Sequence, residues 1–289
     1  MSYSFLYRGP LASCNYDCAY CPFSKHRSSP EELEEDRRGI ERFVAWVGEQ
    51  RAQPISILFT PWGEALIRRW YRRAMIELSH TEQVERVAIQ TNLSGELEWL
   101  AQADLETVAL WVTFHPSQTT LENFLSRCGR LDELGVRYSV GIVGLRENLA
   151  DARALRRELA TDVYLWVNAY KSDPDYYDRS SLDAFTAIDP LFPINNRRHP
   201  SRGRTCRTGE SVFSVNGDGD VRRCHFVDEH LGNLYQQPIA ELLDRRSCPE
   251  TTCGCHIGYV HLDHLGLGSV FADGLLERIP AQPVAEACA

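Results

Sequence analysis

The sequence predicts an α/β protein built on a parallel sheet, on three observations. Six short apolar runs alternate with helical stretches over the first part of the chain. One helix start carries a full capping signature, and another helix shows an apolar stripe ended by glycine. Near residues 171–175 the alternation stops, and a cysteine-bearing hairpin follows. Parallel neighbours need long crossovers, and these are nearly always right-handed. Alternation by itself fits both an incomplete barrel and an open doubly wound sheet.

Phe5-Leu6-Tyr7 reads as the first strand, feeding a loop at its C-terminal end. Ser29-Pro30-Glu31-Glu32 combines an N-cap serine, a proline at the first helical position and a glutamate three residues after the cap. Ile40, Phe43, Val44 and Val47 then repeat at helical spacing. Ile55 to Phe59 is the second strand, with a helix after Glu64; Val87 to Gln90 and Val108 to Phe114 are the third and fourth. Leu121, Phe124, Leu125, Cys128 and Leu131 form a helical stripe that stops near Gly135, with Cys128 as a buried thiol on it. Val136 to Val143, a helix from Leu149 to Leu159, and Val163 to Val167 complete the series. A linker-like region with several prolines and a basic run, Arg197 to Arg204, comes next. Val212 to Val215, the turn Asn216-Gly217-Asp218-Gly219, and Asp220 to Cys224 read as a β-hairpin. From Pro280 the chain reads as a loose tail.

A chain of 289 residues with 43% hydrophobic and 25% charged residues can bury a large core without staples. No apolar run approaches the roughly 18 residues needed to cross a bilayer, and Met1 to Phe5 lacks the regions of a signal peptide. A cytoplasmic protein is expected, with no membrane partner. There, ten cysteines point to metal ligands or catalytic groups rather than disulfides. The net charge of -9 argues against nucleic acid, which calls for a basic surface.

The stretch Cys14-Asn15-Tyr16-Asp17-Cys18-Ala19-Tyr20-Cys21 places three cysteines at C-x3-C-x2-C spacing. Three thiolates on one loop can hold three irons of a 4Fe-4S cubane, whereas an electron-transfer cluster normally takes four cysteines. One iron is then open to substrate or cofactor. A zinc knuckle would want four ligands, usually as two spaced pairs. The spacing, with Tyr20 just before the third cysteine, resembles the radical S-adenosylmethionine (radical SAM) superfamily. That resemblance implies a partial (β/α)6 TIM-like barrel over residues 1–179, with the chemistry at the C-terminal strand ends.

The resemblance extends along those strand ends. Gly63 and Glu64 resemble the second and third residues of the family's Gly-Gly-Glu motif, which contacts the cofactor's methionyl amine; Trp62 replaces the first glycine. Thr91-Asn92 resembles the pair that often follows the third strand. Ile142, Gly144 and Glu147 match most of G-x-I-x-G-x-x-E, with Val140 where the first glycine would stand. The resemblance makes Ile142 an adenine contact, and the plain reading makes it core. Tyr20 is expected near adenine, and Asn168 is a candidate partner for that base. His115 ends the fourth strand, where histidine suits proton transfer as a catalytic group and equally substrate binding, a cofactor contact or neither.

Cys206, Gly219 and Cys224 form a C-x12-G-x4-C arrangement that resembles the opening of the SPASM and twitch extensions. The resemblance implies a small hairpin-and-helix segment over residues 180–279 that binds an auxiliary 4Fe-4S cluster, with a tail over 280–289. Cys253 and Cys255 are the favoured remaining ligands, and Cys248 is the alternative. Zinc on these cysteines and His256 is the competing site. Cys288 in the tail is not assigned a ligand role.

The implied function is an oxidoreductive radical enzyme with two 4Fe-4S clusters and S-adenosylmethionine. Its 5'-deoxyadenosyl radical would take hydrogen from a peptide side chain or small metabolite, and its auxiliary cluster would accept the electron. A donor such as flavodoxin or ferredoxin is implied as partner. Arg202 and Arg204 are candidates for an anionic substrate group, and the plain reading of the run is a solvated linker or charge balance for an anionic cluster. The reading from another class is a zinc-bound scaffold or partner-binding subunit that keeps the barrel without turnover.

Overall fold

The computed structural model describes residues 2–23, 26–243 and 247–284. The first half runs β1 (Tyr3–Tyr7), α1 (Pro30–Glu49), β2 (Ile55–Phe59), α2 (Arg69–Ser79), β3 (Val84–Thr91), β4 (Val108–Phe114), α3 (Leu121–Leu134), β5 (Arg137–Val143), α4 (Leu149–Glu158) and β6 (Leu165–Asn168). Then come α5 (Arg179–Thr186), α6 (Phe192–Asn195), β7 (His199–Pro200), β8 (Val212–Val215), β9 (Asp220–Cys224), β10 (Val227–Asn233), β11 (Thr252–Cys253), α7 (His256–Tyr259) and α8 (Leu267–Phe271).

β1 to β6 lie side by side in chain order, all parallel, as βαβ crossovers require. The hairpin strands extend this sheet. β8 pairs parallel with the free edge of β1, and β9 and β10 follow antiparallel. The protein is therefore α/β with a partial TIM-like arrangement. The local signals behave as their chemistry demands: Ser29 and Glu32 exchange both bonds of a capping box, and Gly135 ends α3 at φ 72°. No described helix is long and apolar enough to cross a membrane.

The sheet buries both faces, because successive side chains alternate. Phe5, Tyr7, Ile57, Phe59, Val140 and Ile142 face the helices, packing with Phe43, Met75, Phe124 and Leu155. Leu6, Leu58, Ala88, Ala109, Trp111, Trp166 and Val212 form the inner face. Small residues there make room for the indoles: a Cβ on Gly141 would stand 2.1 Å from the Trp166 ring.

The C-terminal segment covers that inner face. Ile257 and Leu276 join its cluster, and the Arg278 guanidinium lies 4.5 Å from the Trp166 ring centroid. Glu277, fully buried, accepts a 2.6 Å bond from Arg137 and has Arg86 at 3.5 Å. A charge so enclosed is tolerated because it is paired; removing either partner from such a pair costs about 3–5 kcal/mol.

Two expectations are corrected. The linker-like region contains α5 and α6, and Asp189 after α5 is fully buried, accepting from the Val167 amide and the Tyr164 hydroxyl. The tail is not loose at its start: Ala281 N–H donates to the Val270 carbonyl, and Val284 is buried. Cys288 lies outside the described residues.

Candidate active site

The thiol loop leaves β1 at Arg8 and crosses the C-terminal ends of β2, β3 and β4. Its course is fixed by close backbone approach. A Cβ on Gly63 would fall 1.9 Å from the Ser13 carbonyl oxygen, so only glycine lets the two chains meet. Beneath the loop, Asp36 of α1 is fully buried and accepts from Trp70 at 2.7 Å and Tyr71 at 3.1 Å. Burial raises its pKa, against those bonds.

Cys14 faces β3. Its sulfur accepts from Tyr16 N–H at 3.4 Å and lies 3.8 Å from the Asn92 side-chain amide. Cys18 is buried, and Cys14 and Cys21 are half-buried. Burial raises the Cys14 pKa, and the neighbouring Cys18 and Cys21 add to that rise. Cys14 thus feels both other thiols as charges, and Cys18 feels Cys21. Such a set fits a group that carries positive charge and displaces their protons.

Glu64 is the anchor of the β3 end. Its buried carboxylate accepts from Leu66 N–H at 3.0 Å, Thr91 hydroxyl at 2.8 Å and Asn92 N–H at 2.6 Å. Desolvation raises its pKa, and the three bonds work against that shift. A carboxylate has about four lone-pair positions, so three of them are used here. Asn92 in turn donates to Asn15 at 3.1 Å, tying the strand end to the thiol loop.

His115 at the end of β4 lies 2.7 Å from the Tyr20 hydroxyl through Nδ1, and Tyr16 meets its ring edge-on at 5.9 Å. Burial lowers its pKa to about 4, so the ring is neutral. Burial raises the Tyr20 pKa, with the Cys18 thiolate adding to the rise. The single Tyr20 proton therefore has two claimants, His115 Nδ1 and Cys18 Sγ.

The fifth- and sixth-strand candidates divide. Asn168 is exposed at the end of β6, available to a ligand. Ile142 is fully buried on the helix-facing side and offers no surface to adenine; it is core. Gly144 is where the backbone comes close, since a Cβ there would meet Val167 at 2.8 Å.

A second thiol group surrounds a cavity of about 320 Å³ whose wall includes Cys206, Cys224, Cys248, Cys253 and Cys255. Cys206 and Cys224 are buried and Cys255 is exposed. Burial, then the Cys206, Cys255 and Cys248 charges, push Cys224 up to about 12. The pairing of β7 with β11 positions Cys253 opposite His199. His256 is not on this wall. Its ring is enclosed by Trp111, Tyr259 and Phe271, each at 5.3–5.4 Å, which removes it from a zinc site. Among the described residues, no three His, Cys, Asp or Glu side chains converge as one ion would require.

Exposed Arg202 donates to the Pro249 carbonyl at 3.3 Å and to Thr251 at 2.6 Å, holding the 249–251 loop. Three residues near the two thiol groups escaped sequence reasoning. Lys171 donates to the Gly254 carbonyl at 2.5 Å beside the thiol cavity. His225 bonds Thr60 at 3.1 Å, and Arg8 donates to the Thr60 carbonyl at 2.8 Å. A polar residue just past an apolar run was the available signal for Arg8.

No protein-family model matches the chain. Among solved structures, native anSMEcpe with bound AdoMet and Kp18Cys peptide is similar over 84% of this chain and 81% of that one, at 15% identity and a TM-score of 0.57. Native anSMEcpe with bound AdoMet is similar over 83% and 80%, at 16% identity and 0.55. At such identities the likeness is one of fold, and this chain shares the fold of those AdoMet-bound structures.

Proposed function

We propose that the chain is a radical SAM enzyme of oxidoreductase type. In this reading Cys14, Cys18 and Cys21 hold a 4Fe-4S cluster with one open iron. S-adenosylmethionine binds beside it, between the Glu64–Asn92 end of β3, Tyr20 and Asn168. Four of the five cavity thiols, Cys206, Cys224, Cys253 and Cys255 in first place, hold an auxiliary 4Fe-4S cluster. The observation that carries the reading is the loop that presents Cys14, Cys18 and Cys21 and is tied to polar strand ends through Asn92 and His115. The fold shared with AdoMet-bound structures supports it.

When bound, the reduced cluster and the sulfonium cofactor supply a 5'-deoxyadenosyl radical, and the auxiliary cluster supplies an electron acceptor. The chain's own residues set the stage. Glu64 keeps Thr91 and Asn92 in place. Tyr20 and His115 hold the loop, the histidine being a neutral proton acceptor at Nδ1 when Tyr20 donates to it. Leu6, Leu58, Trp111 and Trp166, covered by Ile257 and Leu276, keep water from the inner face beneath. A peptide side chain or small metabolite is the proposed substrate, and a flavodoxin or ferredoxin the proposed donor.

Anaerobic reconstitution tests this. The protein should hold about eight irons if both cubanes form, and the reduced form should release 5'-deoxyadenosine from S-adenosylmethionine. Zinc in place of iron, or a reduced iron-loaded protein that leaves the sulfonium intact, would sink the reading.

A further inference from the structure

Trp62, which stands where the related motif has glycine, connects the two thiol groups. Its ring meets Phe23, two residues past Cys21, at 4.6 Å. On its other side the Arg8 guanidinium carbon lies 4.6 Å from the ring centroid. Arg8 follows Ser4 and Leu6 on the inner-facing positions of β1, and its Nε is held by the Thr60 carbonyl. It is half-buried, and burial lowers its pKa to about 10 while Cys255 and Cys224 pull it back up. Thr60, whose carbonyl holds Arg8 and whose hydroxyl bonds His225 next to Cys224, ties the cation to the second thiol group, and an indole that reaches the N-terminal loop braces it.

Among the described residues, one of its five N–H donors is used. Among the described residues no carboxylate lies within ion-pair distance of Arg8, and its two terminal nitrogens have no hydrogen-bond acceptor. A guanidinium that has lost much of its water and gained no counter-ion is costly unless something else completes it. Its planar fork matches an oxyanion through two parallel bonds. Half-exposed Trp62 flanks the guanidinium with apolar surface, and half-exposed Phe226 lines the neighbouring thiol cavity.

We propose that Arg8, braced on Trp62, is the substrate's anion subsite, receiving a carboxylate or phosphate group between the two thiol groups. The proposal rests on the reading of those groups as one active site. It places a charged, aromatic-lined recognition point on the first strand.

The test uses anaerobically reconstituted full-length protein with S-adenosylmethionine, titrated calorimetrically with benzoate, phenyl phosphate and neutral benzamide. At least one anion should bind about tenfold more tightly than benzamide or better, as one desolvated charge-assisted pair implies; whichever wins distinguishes carboxylate from phosphate. Arg8→Gln should reduce the preference to about twofold or less, and Arg8→Lys should keep part of it. Should Arg8→Gln fail to assemble, Trp62→Gly, which removes the brace, should weaken anion binding alone. Equal binding of benzamide, or unchanged anion affinity in Arg8→Gln, overturns the subsite. So does a shifted midpoint potential of the auxiliary cluster in Arg8→Gln with anion binding intact, since Arg8 would then serve the cluster. Cofactor cleavage is measured on the same preparation: anion preference without cleavage sinks the radical reading and not the subsite, and cleavage without preference does the reverse.

Discussion

Tyr20 and His115, 95 residues apart in sequence, share a 2.7 Å hydrogen bond with their rings stacked at 6.0 Å. This contact clamps the thiol loop to the end of β4. His115→Phe keeps the stacking surface and removes the acceptor, so the apo protein should lose about 1 kcal/mol in urea unfolding, the low end for an unmade bond at a half-buried site. His115→Gln, which retains an acceptor, should lose less. Equal losses in the two variants would mean that ring packing, rather than the bond, holds the loop.

Gly63 makes a sharper case. Its Cβ would strike the Ser13 carbonyl group, backbone that cannot swing away as a flexible side chain would. Gly63→Ala should leave the sheet folded by circular dichroism while displacing Ala12–Cys14, so that reconstitution yields about four irons, those of the auxiliary site, in place of about eight. Gly129→Ala, on the α3 surface with nothing within 4 Å, should keep full iron and gain up to about 1 kcal/mol from helix propensity. Full iron loading in Gly63→Ala would show that the loop has another way to pass β2.

Much of this was legible because the same physics writes both records. Strands buried on two faces must be apolar, so β2 and β4 stand out as Ile55–Phe59 and Val108–Phe114. The C-x3-C-x2-C loop was legible because ligand spacing is local. What escaped was set by partners distant in sequence. β10 is an edge strand reading Val-Asp-Glu-His-Leu-Gly-Asn, with an interrupted register and no apolar alternation to announce it. Glu277 and Arg278 look like a polar tail, and only the indoles and arginines across the sheet explain their burial. Ile142 carries a strand-end motif in sequence, but its side of the pleat points it at the helices.

Acid should weaken the apo protein through buried neutral histidines. His261 is buried with its Nδ1 unpartnered among the described residues, and burial, then Arg207, lowers its pKa to about 3. The unfolded chain binds the proton near the ordinary 6.5 and the folded chain does not, so stability falls as pH drops from about 6.5 toward 3, by up to about 1.4 kcal/mol per pH unit for that proton. His261→Gln should flatten this slope by about that amount, with little change in slope above pH 7.5. An unaltered slope in guanidinium titrations between pH 6 and 4.5 would show that His261 is already protonated in the fold.

Five thiols border one cavity, and the proposed fully thiolate-ligated cubane would take four and leave one spare. The interactions single out a candidate. The thiols that most raise the Cys253 pKa are Cys224, Cys255 and Cys206, and Cys248 contributes least of the three that act on Cys224. Cys248 is also held by backbone bonds to Gly203 and Arg204, away from the β9 and β11 ends that present Cys224 and Cys253. Alanine at 206, 224, 253 or 255 should therefore cost the auxiliary absorbance and about four irons, whereas Cys248→Ala keeps both. As a reference, replacing Cys14, Cys18 and Cys21 together should abolish cofactor cleavage and leave the auxiliary signal. If Cys248→Ala loses the cluster and Cys255→Ala retains it, Cys248 is the fourth ligand and the exposed Cys255 the spare thiol. Retention by all five single variants would remove the cubane from this cavity.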